Sequence, residues 1–372
     1  MKISMSILLL LFCGMAPAEA QQKNLIDTAL IRFWKSTTMY NESVMMVSKM
    51  DELPTARLLF KPDKILSVKN AGLNVEYIEG KDWEYKDNQL RLLKGSKAAY
   101  FTEQELHPDS ASGTFPGKAG GYILFREGSF FHEHQLAITY THSSNAWHGP
   151  IPVFKKRSFP QLFRKLKRGS LLRLLVFGDS IAAGANASGE SNAAPHLPSW
   201  GNLIAAELRR MYDTQVDFTN TSVGGKDSRW GLETVDERVN AHAPDLVIIA
   251  FGMNDGTSRM DQEVFQENIR GIMDKIKSHN KRTAFILVAP MLPNPESNFT
   301  GTQKLFLKSL EALSGPRVRI VDMGGVHEEL LKHKSYQDMT GNNINHPNDF
   351  LIRWYAQQIA GVLVSDRQLI GR

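Results

Sequence analysis

From residue 171 onward the chain alternates short apolar runs with amphipathic stretches of helical length, and few architectures accept that pattern. Leu171 to Phe177 is an apolar run interrupted only by Arg173, and comparable runs recur at Val216 to Phe218, Leu246 to Phe251, Ala284 to Ala289 and Val318 to Val321. Runs of this length without polar alternation suit strands buried on both faces. Between and after them, Trp200–Tyr212, Glu263–Ser278, Thr302–Leu313, Val326–Lys332 and Phe350–Val364 carry helical periodicity. The order predicts an α/β three-layer sandwich over residues 171–372, with helices on both faces of a mostly parallel sheet. In such sheets chemistry gathers beyond the carboxyl ends of the strands.

Residues 21–155 follow a different rule. Short strand candidates at Ala56–Phe60, Ile65–Val68, Asn74–Ile78, Gln89–Leu93, Gly121–Phe125 and Gln135–His142 are separated by turns rich in Asp, Gly and Pro. An antiparallel, jelly-roll-like β-sandwich is the economical expectation. The basic, Pro-containing segment 156–170 is the expected linker. Its cluster Lys155-Lys156-Arg157 and Arg164-Lys165-Leu166-Lys167-Arg168 has no recognition motif around it, so no nucleic-acid partner is expected. The net charge of +5 is modest and argues only weakly for an acidic surface or polymer as partner.

Residues 1–20 have the makings of a secretory leader: Lys2, the apolar run Ile7–Phe12, then Ala18-Glu19-Ala20 before Gln21. Cleavage after Ala20 and a secreted or periplasmic location are expected. No stretch reaches the ~18 apolar residues of a membrane helix, so no membrane insertion is expected. The single cysteine, Cys13, lies in the leader, with bulky Phe12 before it disfavouring a lipid anchor. A mature chain starting at Gln21 would hold no disulfide, thiolate metal site or cysteine nucleophile.

The first strand of the second half ends in Gly178-Asp179-Ser180, with Gly184 following. A serine at a strand end between glycines presents its hydroxyl at the crevice and leaves backbone N–H groups free to donate. Three further blocks follow at later strand ends: Asn220-Thr221-Ser222-Val223-Gly224-Gly225, Gly252-Met253-Asn254-Asp255, and Asn345-His346-Pro347-Asn348-Asp349. A hydroxyl attacks an ester poorly until an imidazole removes its proton, and the carbonyl oxygen then needs preorganised donors. Loss of one such donor costs about 2.7–4 kcal/mol.

In these four blocks the chain resembles the SGNH (GDSL-type) hydrolases, over roughly residues 171 to 365, and the resemblance implies a flavodoxin-like parallel sheet. The resemblance implies Ser180 as nucleophile, Gly225 and Asn254 as oxyanion donors with the Ser180 N–H, and His346 as general base. Asp179, Trp230 and Asp255 are the expected substrate-binding residues. One departure concerns the acid that the family places three residues before the histidine, because Asn343 stands there. Either a Ser–His pair works with Asn343 or a backbone carbonyl orienting the ring, or a carboxylate arrives from elsewhere, Asp338 and Asp349 being nearest in sequence. Neither aspartate has the usual spacing, which favours the Ser–His pair.

His148, His196, His132 and His134 belong to no ordered set and are expected to be structural. His132-Glu133-His134 would place both rings on one face of a strand, but no third ligand accompanies them; neither a metal nor another cofactor is expected. The wording of Gly80-Lys81-Asp82-Trp83, Trp147-His148-Gly149-Pro150 and Thr340 to Phe350 resembles two-domain bacterial carbohydrate esterases of the same family. That resemblance implies an acetylated oligo- or polysaccharide as substrate. A lipase or thioesterase acting on longer acyl chains, and a glycan-binding protein with a vestigial site, are the alternatives.

Overall fold

Strands buried on both faces need an apolar layer on each side, and the second half supplies two. The computed structural model describes residues 15–50, 52–143 and 147–365. Its central sheet has five strands, β1 (Leu172–Gly178), β2 (Val216–Asn220), β3 (Leu246–Ala250), β4 (Ala284–Ala289) and β5 (Val318–Asp322), all parallel in the order 2-1-3-4-5. Successive side chains alternate between two cores. Leu174, Val176, Ile248 and Ile286 face one, while Leu175, Phe177, Ile249 and Leu287 face the other. Helices Ser228–Arg238, Gln262–His279 and Phe306–Glu311 cover the second core, through Val235, Phe265 and Leu310 among others. Trp200–Tyr212, Met323–Leu331 and Asp349–Gly361 cover the first. This is the expected three-layer α/β sandwich, and its strand order changes direction between β1 and β3, where ligands of such sheets bind.

The first half forms antiparallel sheets, as expected. One carries Thr38–Met45, Gln135–His142, Pro62–Asn70 and Glu76–Tyr77 in that spatial order. A second joins Trp83–Lys86, Gln89–Leu92, Thr55–Ala56, Val47–Ser48 and Phe101–Thr102, the last pairing being parallel. A separate hairpin, Thr114–Pro116 with Tyr122–Leu124, projects toward the second half. There Lys118 N–H donates to Glu296 O at 2.6 Å, and Asn298 N–H donates to Pro116 O at 3.1 Å.

The two halves share an apolar core rather than touching at a polar seam. Met39, Val44, Leu136 and Ile138 of the first sheet belong to the same cluster as Trp354, Ile359 and the inner faces of β1 and β3. Helix Asp349–Gly361 is buried at every position from Phe350 to Gly361, the condition of a helix enclosed on all sides. Its polar groups are matched to the first half: Arg353 Nη1 donates to Tyr40 O at 2.7 Å, and Gln357 Nε2 donates to Ala29 O at 2.8 Å.

Several expectations change. Within the segment expected as a linker, Pro160–Lys167 form a helix that buries Leu162, Phe163 and Leu166, so the segment packs on the core. His132 lies in a short helix, Phe130–Glu133, with His134 just past its end, not in a strand. His132 Nε2 contacts Ala194 O at 2.7 Å, and His134 stacks on Phe101 at 4.6 Å, so the two rings have separate structural partners. The apolar run of the leader and Cys13 lie outside the described residues, and a helix spans Met15–Ala29. Among the described residues no helix is long and apolar enough to cross a membrane, and no three His, Cys, Asp or Glu side chains gather as a metal site.

Candidate active site

Strand β1 ends where it must pass close to β3. A Cβ at Gly178 would lie 2.1 Å from Ala250 O, so glycine alone fits. The next residue, Asp179, turns its carboxylate inward to accept the Ile181 N–H at 3.0 Å, capping the short helix Ser180–Ala183. Ser180 thus stands at the first position of that helix, where a backbone N–H has no partner within the helix.

Val223 N–H donates to Gly178 O at 3.1 Å and pins the loop after β2 against the nucleophile turn. A Cβ at Gly224 would be 3.7 Å from Ser180 Cβ, and Gly225 follows with φ +74°, a left-handed conformation that glycine adopts without strain. The half-buried Asn254, in helix Met253–Thr257 after β3, donates from Nδ2 to Lys226 O at 2.8 Å. That bond uses one of the two amide hydrogens and holds the loop beside Gly225.

His346 comes from a loop bound to itself at many points. Asn342 Oδ1 accepts the N–H groups of Ile344, Asn345 and His346 at 3.0 to 3.1 Å, and Gly341 N–H donates to His346 O at 2.9 Å. Ser180 and His346 are 9% and 8% exposed, and Nε2 of the ring lies 2.9 Å from Ser180 Oγ. The other nitrogen, Nδ1, meets Asn186 Oδ1 at 2.7 Å and Glu127 Oε2 at 3.2 Å.

These contacts fix the tautomer. Asn186 Nδ2 donates to Gly128 O at 2.9 Å and to Gly341 O at 3.2 Å, so its oxygen is the end that faces the ring. With only acceptors around Nδ1, the ring proton sits there, and Nε2 is left with a lone pair toward the serine hydroxyl.

Asn343 does not orient the ring. Its φ of +67° carries its amide elsewhere: Nδ2 donates to Leu124 O at 3.0 Å, and Oδ1 accepts from Asn294 Nδ2 at 3.4 Å. Asp338 and Asp349 are also engaged away from the histidine. Asp338 accepts the Met45 N–H at 2.7 Å, and Asp349 accepts the Ser188 N–H at 2.8 Å. The carboxylate beside His346 is Glu127, from the loop between the projecting hairpin and helix Phe130–Glu133. Asn186 and Glu127 were invisible to spacing arguments, since 160 and 219 residues separate them from His346.

Two of the three expected substrate-binding residues, Asp179 and Asp255, are corrected. Asp179 and Asp255 are buried, and Asp255 accepts the Ser228 N–H at 2.9 Å, so both carboxylates hold site loops together. Trp230 packs on Phe177 at 5.7 Å and covers the outer apolar layer, flanked by Lys226 and Arg238. Burial, with a contribution from the Asp255 charge, pushes the Asp179 carboxyl up to about 7, against backbone donors and the nearby His346. Asp255 is raised too, chiefly by burial. At Glu127 burial works upward, but the hydrogen bond and charge of His346, with the amides of Asn342 and Asn186, leave the carboxyl below its ordinary value.

Residues 176–350 match the family described as GDSL-like Lipase/Acylhydrolase. An arylesterase of Vibrio mimicus is 31% identical over 105 residues, 28% of this chain and 48% of the relative. Thioesterase 1/protease 1/lysophospholipase L1 of Escherichia coli K12 is 26% identical over 107 residues, 29% of this chain and 46% of the relative. The chain thus spans about half the length of these curated relatives. Among solved structures, a two-domain esterase (CEX) active on acetylated mannans aligns with a TM-score of 0.46 at 21% identity, over 57% of this chain and 55% of that one. Axe2, an acetylxylan esterase from Geobacillus stearothermophilus, aligns at 0.43 and 19%, over 50% of this chain and 92% of that one.

Proposed function

We propose that the protein, whose residues 176–350 match the GDSL-like lipase/acylhydrolase family, is a serine esterase that removes O-acetyl groups from a glycan. The observation that carries the ester chemistry is the 2.9 Å contact between Ser180 Oγ and an imidazole nitrogen whose tautomer makes it the acceptor. In the proposed reaction the hydroxyl proton passes to His346 Nε2 as Oγ attacks the ester carbonyl. The negative charge that develops on the carbonyl oxygen is met by the N–H groups of Ser180 and Gly225 and by the remaining amide hydrogen of Asn254. Collapse breaks the bond to the sugar oxygen, which takes the proton from His346 to leave as the free hydroxyl, and leaves acetyl on Ser180. Water, deprotonated by the same ring, then releases acetate and restores the serine.

The glycan part of the reading is supported by the resemblance of several segments to two-domain carbohydrate esterases. An exported location, expected from residues 1–20, fits a substrate too large to enter a cell.

Purified protein assayed against aryl acetate, aryl octanoate and acetylated polysaccharide tests the proposal. Acetate release is expected from the first and third, with Ser180→Ala and His346→Ala each lowering kcat by about a thousandfold or more. Faster cleavage of octanoate would favour the lipase or thioesterase alternative. Glycan affinity without any hydrolysis would indicate a vestigial site and overturn the esterase reading.

A further inference from the structure

We infer that Glu127, carried to the site by the antiparallel half of the chain, is the positioning residue that supplies negative charge to His346, taking the place of the aspartate that the His346 loop lacks. The inference rests on the esterase reading for its catalytic meaning, but not for its geometry. Glu127 uses both carboxylate oxygens there: Oε2 lies 3.2 Å from His346 Nδ1, and Oε1 accepts from Asn342 Nδ2 at 3.1 Å. Asn342 is the residue whose own oxygen gathers three N–H groups of the histidine loop, so the carboxylate is tied both to the ring and to the frame that carries it.

The segment bearing Glu127 is seated from end to end. The hairpin before it pairs with the hydrolase loop through Gly117 and Ser297, Leu124 O accepts from Asn343, and Gly128 O accepts from Asn186. Asn343, and Asn186 in addition to its bond to the ring, are thereby the clamps that fix residues 124–128 over His346. The division of labour follows from chemistry. Asn186 oxygen, at 2.7 Å, holds the Nδ1 proton and the ring plane but carries no charge. Glu127 adds the charge that stabilises imidazolium as Ser180 loses its proton. Its side chain is 52% exposed, so solvent weakens but does not abolish the interaction. The other carboxyl acting on the ring is Asp179, buried on the nucleophile turn and accepting backbone donors.

The test compares wild type with Glu127→Gln, an isosteric change at a half-exposed side chain that keeps the hydrogen-bonding shape. The titration midpoint of His346, followed by NMR and assigned with His346→Ala, is expected to fall by about one pH unit in Glu127→Gln. The acidic limb of the kcat/KM profile for aryl acetate is expected to move down with it, and the plateau to drop about tenfold. An unchanged NMR midpoint would overturn the role whatever the activity, as would a lowered plateau with an unmoved limb, which a purely structural residue would give. Absence of hydrolysis in wild type, with the midpoint shifted, would leave the charge assignment standing and remove the esterase reading instead.

Discussion

A histidine works as a base only if one nitrogen is kept bare, and the residues around His346 are chosen for that. Asn186 and Glu127 offer acceptors at Nδ1, so the lone pair points to Ser180. The neighbour of the nucleophile carries a different burden. Asp179 is buried with its carboxyl pushed up to about 7, far above the roughly 3.9 of an unfolded chain. Between these values the folded protein holds a proton that the unfolded chain has lost. The stability tied to that proton is full below about pH 4 and is lost as pH rises through about 7. Asp179→Asn keeps the capping oxygen and removes the titration. The thermal midpoint of wild type, relative to Asp179→Asn, is therefore expected to fall steadily between about pH 4 and pH 7; a flat difference would show that the carboxyl ionises freely in the fold.

Elements whose sequence pattern and burial agree were legible from the chain alone. All five parallel strands and the helix Trp200–Tyr212 lie where the apolar runs and periodicity put them, because strands covered on both faces cannot hide their composition. Helix Ser228–Arg238 escaped notice for a physical reason. Gly231 lowers its intrinsic helicity, yet a Cβ there would meet the Phe251 ring at 2.8 Å, so tertiary packing decides the element. Pro160–Lys167 was hidden by its own charge, since Arg164, Lys165 and Lys167 match in number the three apolar residues that it buries. Of the site, the residues at strand ends were readable because β1 and β3 bring them to one rim. What could not be read was the partner of Nδ1. No local spacing relates Glu127 to His346, and Asn343, at the expected position, was drawn away by a left-handed backbone and by Leu124 O.

On the scale of the molecule, the two halves share one core and are expected to unfold as one unit. Lys334, next to the histidine loop, is fully buried against Glu42 of the strand Thr38–Met45 and lies 3.8 Å from Asp338. Tyr140 OH donates to the same glutamate at 2.5 Å. Replacing Lys334 with Ala leaves two buried carboxyls without their cation, a change that typically costs about 3–5 kcal/mol. Thermal unfolding of Lys334→Ala is expected at a lower midpoint but still in one transition, with circular dichroism of the sheets and tryptophan fluorescence moving together. Two separated transitions would mean that the antiparallel half is an independent module. The shared core around Trp354 and helix Asp349–Gly361 argues against that, and so does a site whose carboxylate comes from the first half.

The claim beneath all of this is that Ser180 is a hydroxyl activated by His346. The most direct measurement is covalent labelling with an aryl phosphonate ester, followed by mass spectrometry of the intact protein and its peptides. One phosphonyl group per chain on Ser180 is expected, formed at least about a hundredfold more slowly in His346→Ala. Labelling at another residue, or at an equal rate without the imidazole, would contradict the assignment.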